Sequence, residues 1–315
     1  MGHLMWDYGA FIGKSQLYFS RAENYPDAED EASALWLLLG LEFLLRAPLA
    51  RIHPTLLADV QSGGGDAIMQ AAGYPLKVDG GPPKSIATKT VITRLGAVIP
   101  EFKERQDDAT LLTGLRNEEL HSSESPLALD DEMWLPHFTR VVEVICKHLE
   151  LNPEEIVGDE IMRHGRSLVD AADKRLDHEI RKRIEGAKAF FDRLKPEEVA
   201  ARKKTAKIPT YPFSQPGSGA LVERTTEPIA CPACQESVPL VLGAVRTTNE
   251  GLEDDEIYRD VIYVASELSC PVCELRLNGT AEIRSAGIKQ QYVRRERESL
   301  AERYISTYEP EYGND

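Results

Sequence analysis

Arg116, Asn117 and His121 place a fixed cation, an amide and an imidazole within the six residues Arg116-Asn117-Glu118-Glu119-Leu120-His121. Arginine stays charged and forks onto phosphate oxygens. Histidine gives and takes a proton near neutrality without special tuning. Together they supply what cleavage of RNA without a metal ion requires. A second constellation is Cys231-Pro-Ala-Cys234 with Cys270-Pro-Val-Cys273. Two C-x2-C pairs can close a tetrahedral four-thiolate shell around Zn2+, one ion per chain. Four sulfurs leave no open position, so such an ion folds its surroundings and does not perform the chemistry. A redox dithiol is the competing reading, and two matched pairs in a cytoplasmic chain argue against it. The fifth cysteine, Cys146, lies in an expected helix beside Val142 and Ile145 and reads as a core thiol.

The elements that must position these residues read as mainly α. Helices are expected over Tyr8–Ala22 and Glu31–Ala47, with a turn at Asn24-Tyr25-Pro26-Asp27 between them. The second helix is apolar nearly all round, as a buried helix is. Glycine-rich stretches, Gly63-Gly64-Gly65 and Gly80-Gly81-Pro82-Pro83, flank irregular chain. Helices follow from Ser85 to Val98, over about 108–123 with Asp107 or Asp108 as the cap, and over about 130–150. Ala109, Leu112 and Leu115 anchor the second of these and let Asn117 and His121, four apart, share one face.

The R-polar-x3-H pattern resembles the motif of HEPN-domain ribonucleases. A further likeness is the long apolar helix ahead of it, Ala34 to Ala47, with the embedded acid Glu42. The resemblance covers about residues 5–150 and implies a helical bundle acting as a homodimer. It also implies metal-independent endoribonuclease activity on an RNA substrate, by way of a 2′,3′-cyclic phosphate. Proteins of that family commonly act as toxins or antiphage-defence effectors, so a protein partner or antitoxin is an expected companion. Glu42 and Arg46 are four apart on the least polar helix and should be paired, since an isolated buried charge is very costly. Either they hold the bundle together, or Glu42 turns toward the motif helix and orients Arg116 or His121. A rival class is a non-catalytic dimeric protein that binds nucleic acid or a partner through the zinc module.

The expected organisation is a HEPN-like bundle over 1–150, a charged helical connector over 151–207 and a linker over 208–228. A zinc ribbon over 229–285 and a C-terminal helix and tail over 286–315 follow. Asn152-Pro153-Glu154-Glu155 starts the connector as cap, proline and first-turn acids, and Pro196 starts another helix. The connector reads as a solvated spacer or a dimerisation arm, with Arg202, Lys203, Lys204 and Lys207 as the alternative RNA-steering cluster. Strands are expected at Pro239–Val245, Val261–Leu268 and Leu275–Ile283. The 35 residues between Cys234 and Cys270 exceed usual knuckle spacing, and the excess is read as an acidic loop over Thr247–Asp260.

The net charge of −15 argues against coating nucleic acid by bulk electrostatics. Residues 163–207 run the other way, with 14 basic groups against 8 acidic ones. The longest apolar run, Leu35 to Leu45, reads as too short to span a bilayer, and no signal peptide is expected. A cytoplasmic protein without a membrane partner is expected. Two look-alike motifs fail on context. Arg46 and His53 fit an R-x6-H spacing, but Ala47 follows the arginine and Pro48 is expected to break the helix. Gly9 to Ser15 has one residue too few between its glycines for a phosphate loop, and no strand precedes it.

Overall fold

The computed structural model describes residues 6–25, 31–60, 65–74, 84–128, 130–205, 224–253 and 256–299. Two compact units divide the chain after Ala172. The first is helical and the second is built on an antiparallel sheet, which bears out the expected fold class.

In the first unit, α1 (Tyr8–Glu23) starts on Asp7, whose carboxylate accepts the Ala10 amide at 3.0 Å. The central helix is α2 (Glu31–Ile52), which touches α1, α4 (Thr88–Val98), α5 (Gln106–His121) and α6 (Asp131–Leu149). A short α3 (Asp66–Ala71) and α7 (Pro153–Val157) complete this part of the chain. The core runs through Phe19, Leu44, Leu45, Leu95, Phe102, Leu112, Phe138 and Ile145, each nearly inaccessible to solvent. Each such side chain contributes about 1.5–3 kcal/mol by leaving water.

Helix α2 does not stop at Pro48. The proline removes one intrahelical hydrogen bond, but Ala47, Leu49 and Ala50 are buried around it and packing carries the helix four residues further. Among the described residues α2 is the one helix long and apolar enough to cross a bilayer, over Ala32–Ile52, longer than the apolar run suggested. In the bundle 67% of that span is buried, as befits a core helix. Helix α4 begins at Thr88 rather than Ser85, because Ser85 pairs with Ala58 in a β-bridge. Helix α5 begins at Gln106, so Asp107 and Asp108 occupy its first turn rather than its cap.

The connector does not behave as a free spacer. Asn152 caps α7 as expected, accepting the Glu154 amide at 3.2 Å. Helix α8 (Asp159–Phe191) begins in the first unit, where Gly165 packs on Thr139 of α6. A Cβ at Gly165 would lie 2.0 Å from the Thr139 hydroxyl oxygen. The second half of α8 turns Leu176, Ile180, Ile184, Ala187 and Phe191 onto the core of the second unit. Helix α9 (Pro196–Thr205) starts at Pro196 as the sequence implied.

The second unit orders its strands β1-β2-β3-β4, with β5 also pairing β3. They are β1 (Arg224–Ala230), β2 (Ser237–Glu253), β3 (Glu256–Ser269), β4 (Arg276–Asn278) and β5 (Gln291–Ser299). Three expectations are corrected here. The stretch 247–260 is not a loop: β2 and β3 continue through it, pairing Thr247 with Val261 and Leu252 with Ile257. Strand character ends at Asn278, and α10 (Gly279–Ser285) follows where a strand was expected to run to Ile283. Residues 291–299, expected in a C-terminal helix, form β5, because their backbone completes the free edge of β3. Most of the expected linker lies outside the described residues, but Arg224 to Pro228 belongs to β1. Pro228 is tolerated there because, among the described residues, β1 pairs only with β2, leaving an edge where no donor is needed.

Candidate functional site

Helix α5 carries Arg116, Asn117 and His121 to the last turn and a half before its end at His121. Its buried side, Ala109 and Leu112, faces the bundle core. Arg116 follows that side inward and is only 14% exposed. One guanidinium nitrogen pairs with Oε2 of Glu42 on α2. The other carboxylate oxygen, Oε1, takes Arg46 Nη2 at 3.1 Å and the Thr88 hydroxyl at 3.0 Å. Arg46 also donates to the Glu42 carbonyl at 2.9 Å and to the Thr88 hydroxyl oxygen at 3.1 Å. Glu42 thus performs both roles considered for it, the intrahelical pair and the contact to the motif helix, and its contact is with Arg116 rather than His121. Burial lowers the Arg46 pKa, Glu42 opposes that fall, and the nearby Arg116 charge adds to it.

Two guanidinium groups around one carboxylate leave the cluster with net positive charge. Thr88 was not visible as a member from the sequence. A threonine in the first turn of a helix is commonplace, and only the fold brings it to Glu42.

Asn117 and His121 are exposed on the outer side of α5. At 3.6 residues per turn, five positions rotate His121 about 140° away from Arg116. No hydrogen bond or ion pair joins the two among the described residues. The chain therefore presents the imidazole and the amide outward and holds the guanidinium partly inside.

At its start α5 is tied to α6. The Asp108 carboxylate meets His137 Nδ1 at 2.7 Å and Arg105 at 3.2 Å. Burial alone would raise the Asp108 pKa, but His137 and Arg105 outweigh it and hold the carboxyl below its usual range. Cys146 is fully buried, and burial with the nearby charges of Glu154 and Glu143 pushes its thiol up to about 12. That is an inert core thiol.

The four remaining cysteines converge because both knuckles are hairpin loops at one end of the sheet. Residues 231–236 join β1 to β2, and 270–275 join β3 to β4. The loops repeat one geometry. Cys231 donates its amide to the Glu236 carbonyl at 2.8 Å, and Cys270 does so to Leu275 at 2.8 Å. Gln235 and Glu274, one residue past each second cysteine, both adopt left-handed backbone, with φ of 62° and 63°. All four sulfurs are buried and lie within 4.8 Å of one another. Cys231 Sγ is 3.6 Å from Cys273 Sγ, and Cys234 Sγ is 3.6 Å from Cys270 Sγ. A tetrahedron with bonds of about 2.3 Å has edges of about 3.8 Å, so this cluster can hold a metal ion. Hydrogen bonds from Cys270 and Cys273 pull the Cys231 pKa down, whereas burial pushes that of Cys234 up.

Helix α9 braces this centre. Arg202 reaches Glu274 at 2.7 Å and Lys203 reaches Glu236 at 2.6 Å, so two of the four cations considered for RNA steering are paired with the knuckles. Lys207 lies outside the described residues. No protein-family model, curated protein or solved structure matches this chain.

Proposed function

We propose that the chain is a metal-independent endoribonuclease of the HEPN type, acting as a homodimer through its helical bundle, with a structural zinc module. The observation that carries the reading is α5 itself. It holds an arginine against a partly buried acid of the long apolar helix α2 and presents an asparagine and a histidine outward four residues apart. The reaction is attack of a 2′-hydroxyl on the adjacent phosphorus. His121 takes the hydroxyl proton, the bond to the 5′-oxygen breaks, and that oxygen receives a proton from the imidazole of a second copy. The Arg116 cluster, with its excess positive charge, faces charge growing on the phosphoryl oxygens. Asn117 orients His121 or donates to the phosphate. A two-fold dimer supplies the second imidazole and places one copy's arginine near the other copy's histidine.

The metal centre is read as Zn2+ because four thiolates suit that ion and leave it closed. It folds the recognition module for an RNA target or a protein partner. A defence or toxin role in the cytoplasm follows from the family likeness alone.

The experiment is an RNA cleavage assay without added metal. The expected product carries a 2′,3′-cyclic phosphate or its hydrolysis product. His121→Ala should lose about 10²–10⁴-fold in rate. The angular separation of Arg116 and His121 within one protomer favours a second reading, a dimeric interaction protein without catalysis. Full activity of His121→Ala, or no RNA cleavage by a confirmed dimer, would establish that reading instead.

A further inference from the structure

The hairpin of α1 and α2 carries aromatic rings interleaved with cations that the α5 site does not use. On α1, Phe11, Lys14, Tyr18 and Arg21 recur at spacings of three and four and share one side. Trp36 and Phe43 of α2 lie against them. The rings form a continuous run: Phe11 to Phe43 at 6.5 Å, Phe43 to Tyr18 at 5.3 Å, Tyr18 to Trp36 at 5.5 Å. Lys14 Nζ sits 4.3 Å above Phe43, and Arg21 lies 5.2 Å from the Tyr18 ring and 5.0 Å from that of Trp36.

Packing accounts for only part of this row, since Phe11 and Trp36 rest against the bundle core. Tyr18 and Phe43 are half-buried, and neither joins the bundle core. Lys14 and Arg21 are exposed, and among the described residues neither pairs with a carboxylate, in a chain whose net charge is −15. At one end the row opens into a cavity of about 500 Å³ whose lining includes Trp6, Asp7, Phe11, Lys14, Phe43 and Arg46. Glu42, which holds Arg116, forms part of the same wall.

We propose that this row is a platform for single-stranded RNA that leads the strand toward the Glu42–Arg46–Arg116 cluster. The proposal rests on the ribonuclease reading and adds its substrate path. On binding, the long side chains of Lys14 and Arg21 leave the ring faces for the phosphates, and the bases take the faces they vacate. The platform runs about 15 Å along α1 between Phe11 and Arg21, room for a few nucleotides. Base pairs of a duplex cannot offer their faces, so the site selects unpaired strands. A second copy of the chain is the weaker occupant. In a two-fold contact the same patch meets itself, and Lys14 and Arg21 would face like charges.

The test is binding of a fluorescein-labelled single-stranded oligoribonucleotide to the full-length chain with His121→Ala, so that cleavage does not intrude. Lys14→Glu with Arg21→Glu, both at exposed positions, should weaken binding more than tenfold and flatten its salt dependence. Tyr18→Leu and Phe43→Leu should each cost roughly tenfold, and a duplex of the same sequence should not compete. Unchanged affinity in the charge-reversed and ring variants, each confirmed as folded by thermal melting, overturns the platform while leaving the ribonuclease reading standing. Dissociation of a dimer by Tyr18→Leu or Phe43→Leu, seen by light scattering, assigns the face to a second copy and also overturns it. Binding that follows the variants in a chain whose wild type never cleaves RNA keeps the platform and removes the nuclease.

Discussion

At the scale of single residues, Glu42 decides how Arg116 can act. Its carboxylate is 20% exposed, and it serves guanidinium groups from two positions, one of them only 9% exposed. Removing one partner of a partly buried ionic cluster leaves uncompensated charge, which costs more than the pair itself contributes. Glu42→Leu should therefore destabilise the bundle by about 3–5 kcal/mol, read from denaturant unfolding. Arg116→Lys should unfold at nearly the wild-type midpoint yet cleave RNA more slowly, because an ammonium cannot fork between Glu42 and a phosphate. Equal loss of stability and activity in Arg116→Lys would reduce that arginine to a structural tie. Part of this was legible in advance. Glu42 on an apolar helix demanded a partner, and Arg46, Arg116 and His121 were the candidates. Thr88 was hidden, since its role depends on α4 crossing α2, which spacing alone does not encode.

At the scale of elements, α5 is held at both ends by charge, and its N-terminal tie has a defined pH response. Asp108 is depressed in the folded chain by His137 and Arg105. A carboxyl with a lowered folded pKa contributes stability that is complete above its unfolded value near about pH 4 and is lost as the pH falls through the lower folded value. Asp108→Ala should thus cost about 1.5–3 kcal/mol at pH 7, with the gap to wild type closing below about pH 4. Urea midpoints across that range would show it, and a gap that stayed constant to pH 3 would remove Asp108 from the account. Helices were legible here because their signals are local: Asn152 and Pro196 both start helices where capping chemistry places them. Pro48 was misleading for the same reason. Its local cost is real, but a buried helix repays it through packing on every side. The segment Gln291-Tyr-Val-Arg-Arg-Glu-Arg-Glu-Ser299 was misleading in the opposite sense. Arginine and glutamate favour helix, yet pairing with β3 and ion pairs such as Arg295–Asp260 and Arg259–Glu296 draw it into the sheet.

At the scale of the whole molecule, the two units differ in what holds them. The helical unit has a continuous apolar core drawn from α1, α2, α4, α5 and α6. In the second unit the smaller core includes the four cysteines themselves, beside Leu240, Tyr263, Leu268 and Leu277. The knuckles were readable because metal chemistry dictates their spacing. The long β2–β3 hairpin was not, because thirty-five intervening residues say nothing of their pairing. Metal-ligand bonds in such a module are folding free energy, since the unfolded chain has no preformed site. Stripping the metal should therefore melt the sheet unit and spare the bundle. Metal analysis should first find one zinc per chain. After exhaustive chelation, calorimetry should lose or lower one of two transitions, and the helical signal at 222 nm should fall only in part, roughly in proportion to α8 and α9. Thiol titration of the chelated but undenatured protein should count four reactive cysteines and not five, because Cys146 stays buried with its thiol pushed up to about 12. Restoring zinc should bring back both transitions. If chelation left the thermogram unchanged, or made all five cysteines reactive together, the two units would share one cooperative fold and the metal would not be what holds the sheet.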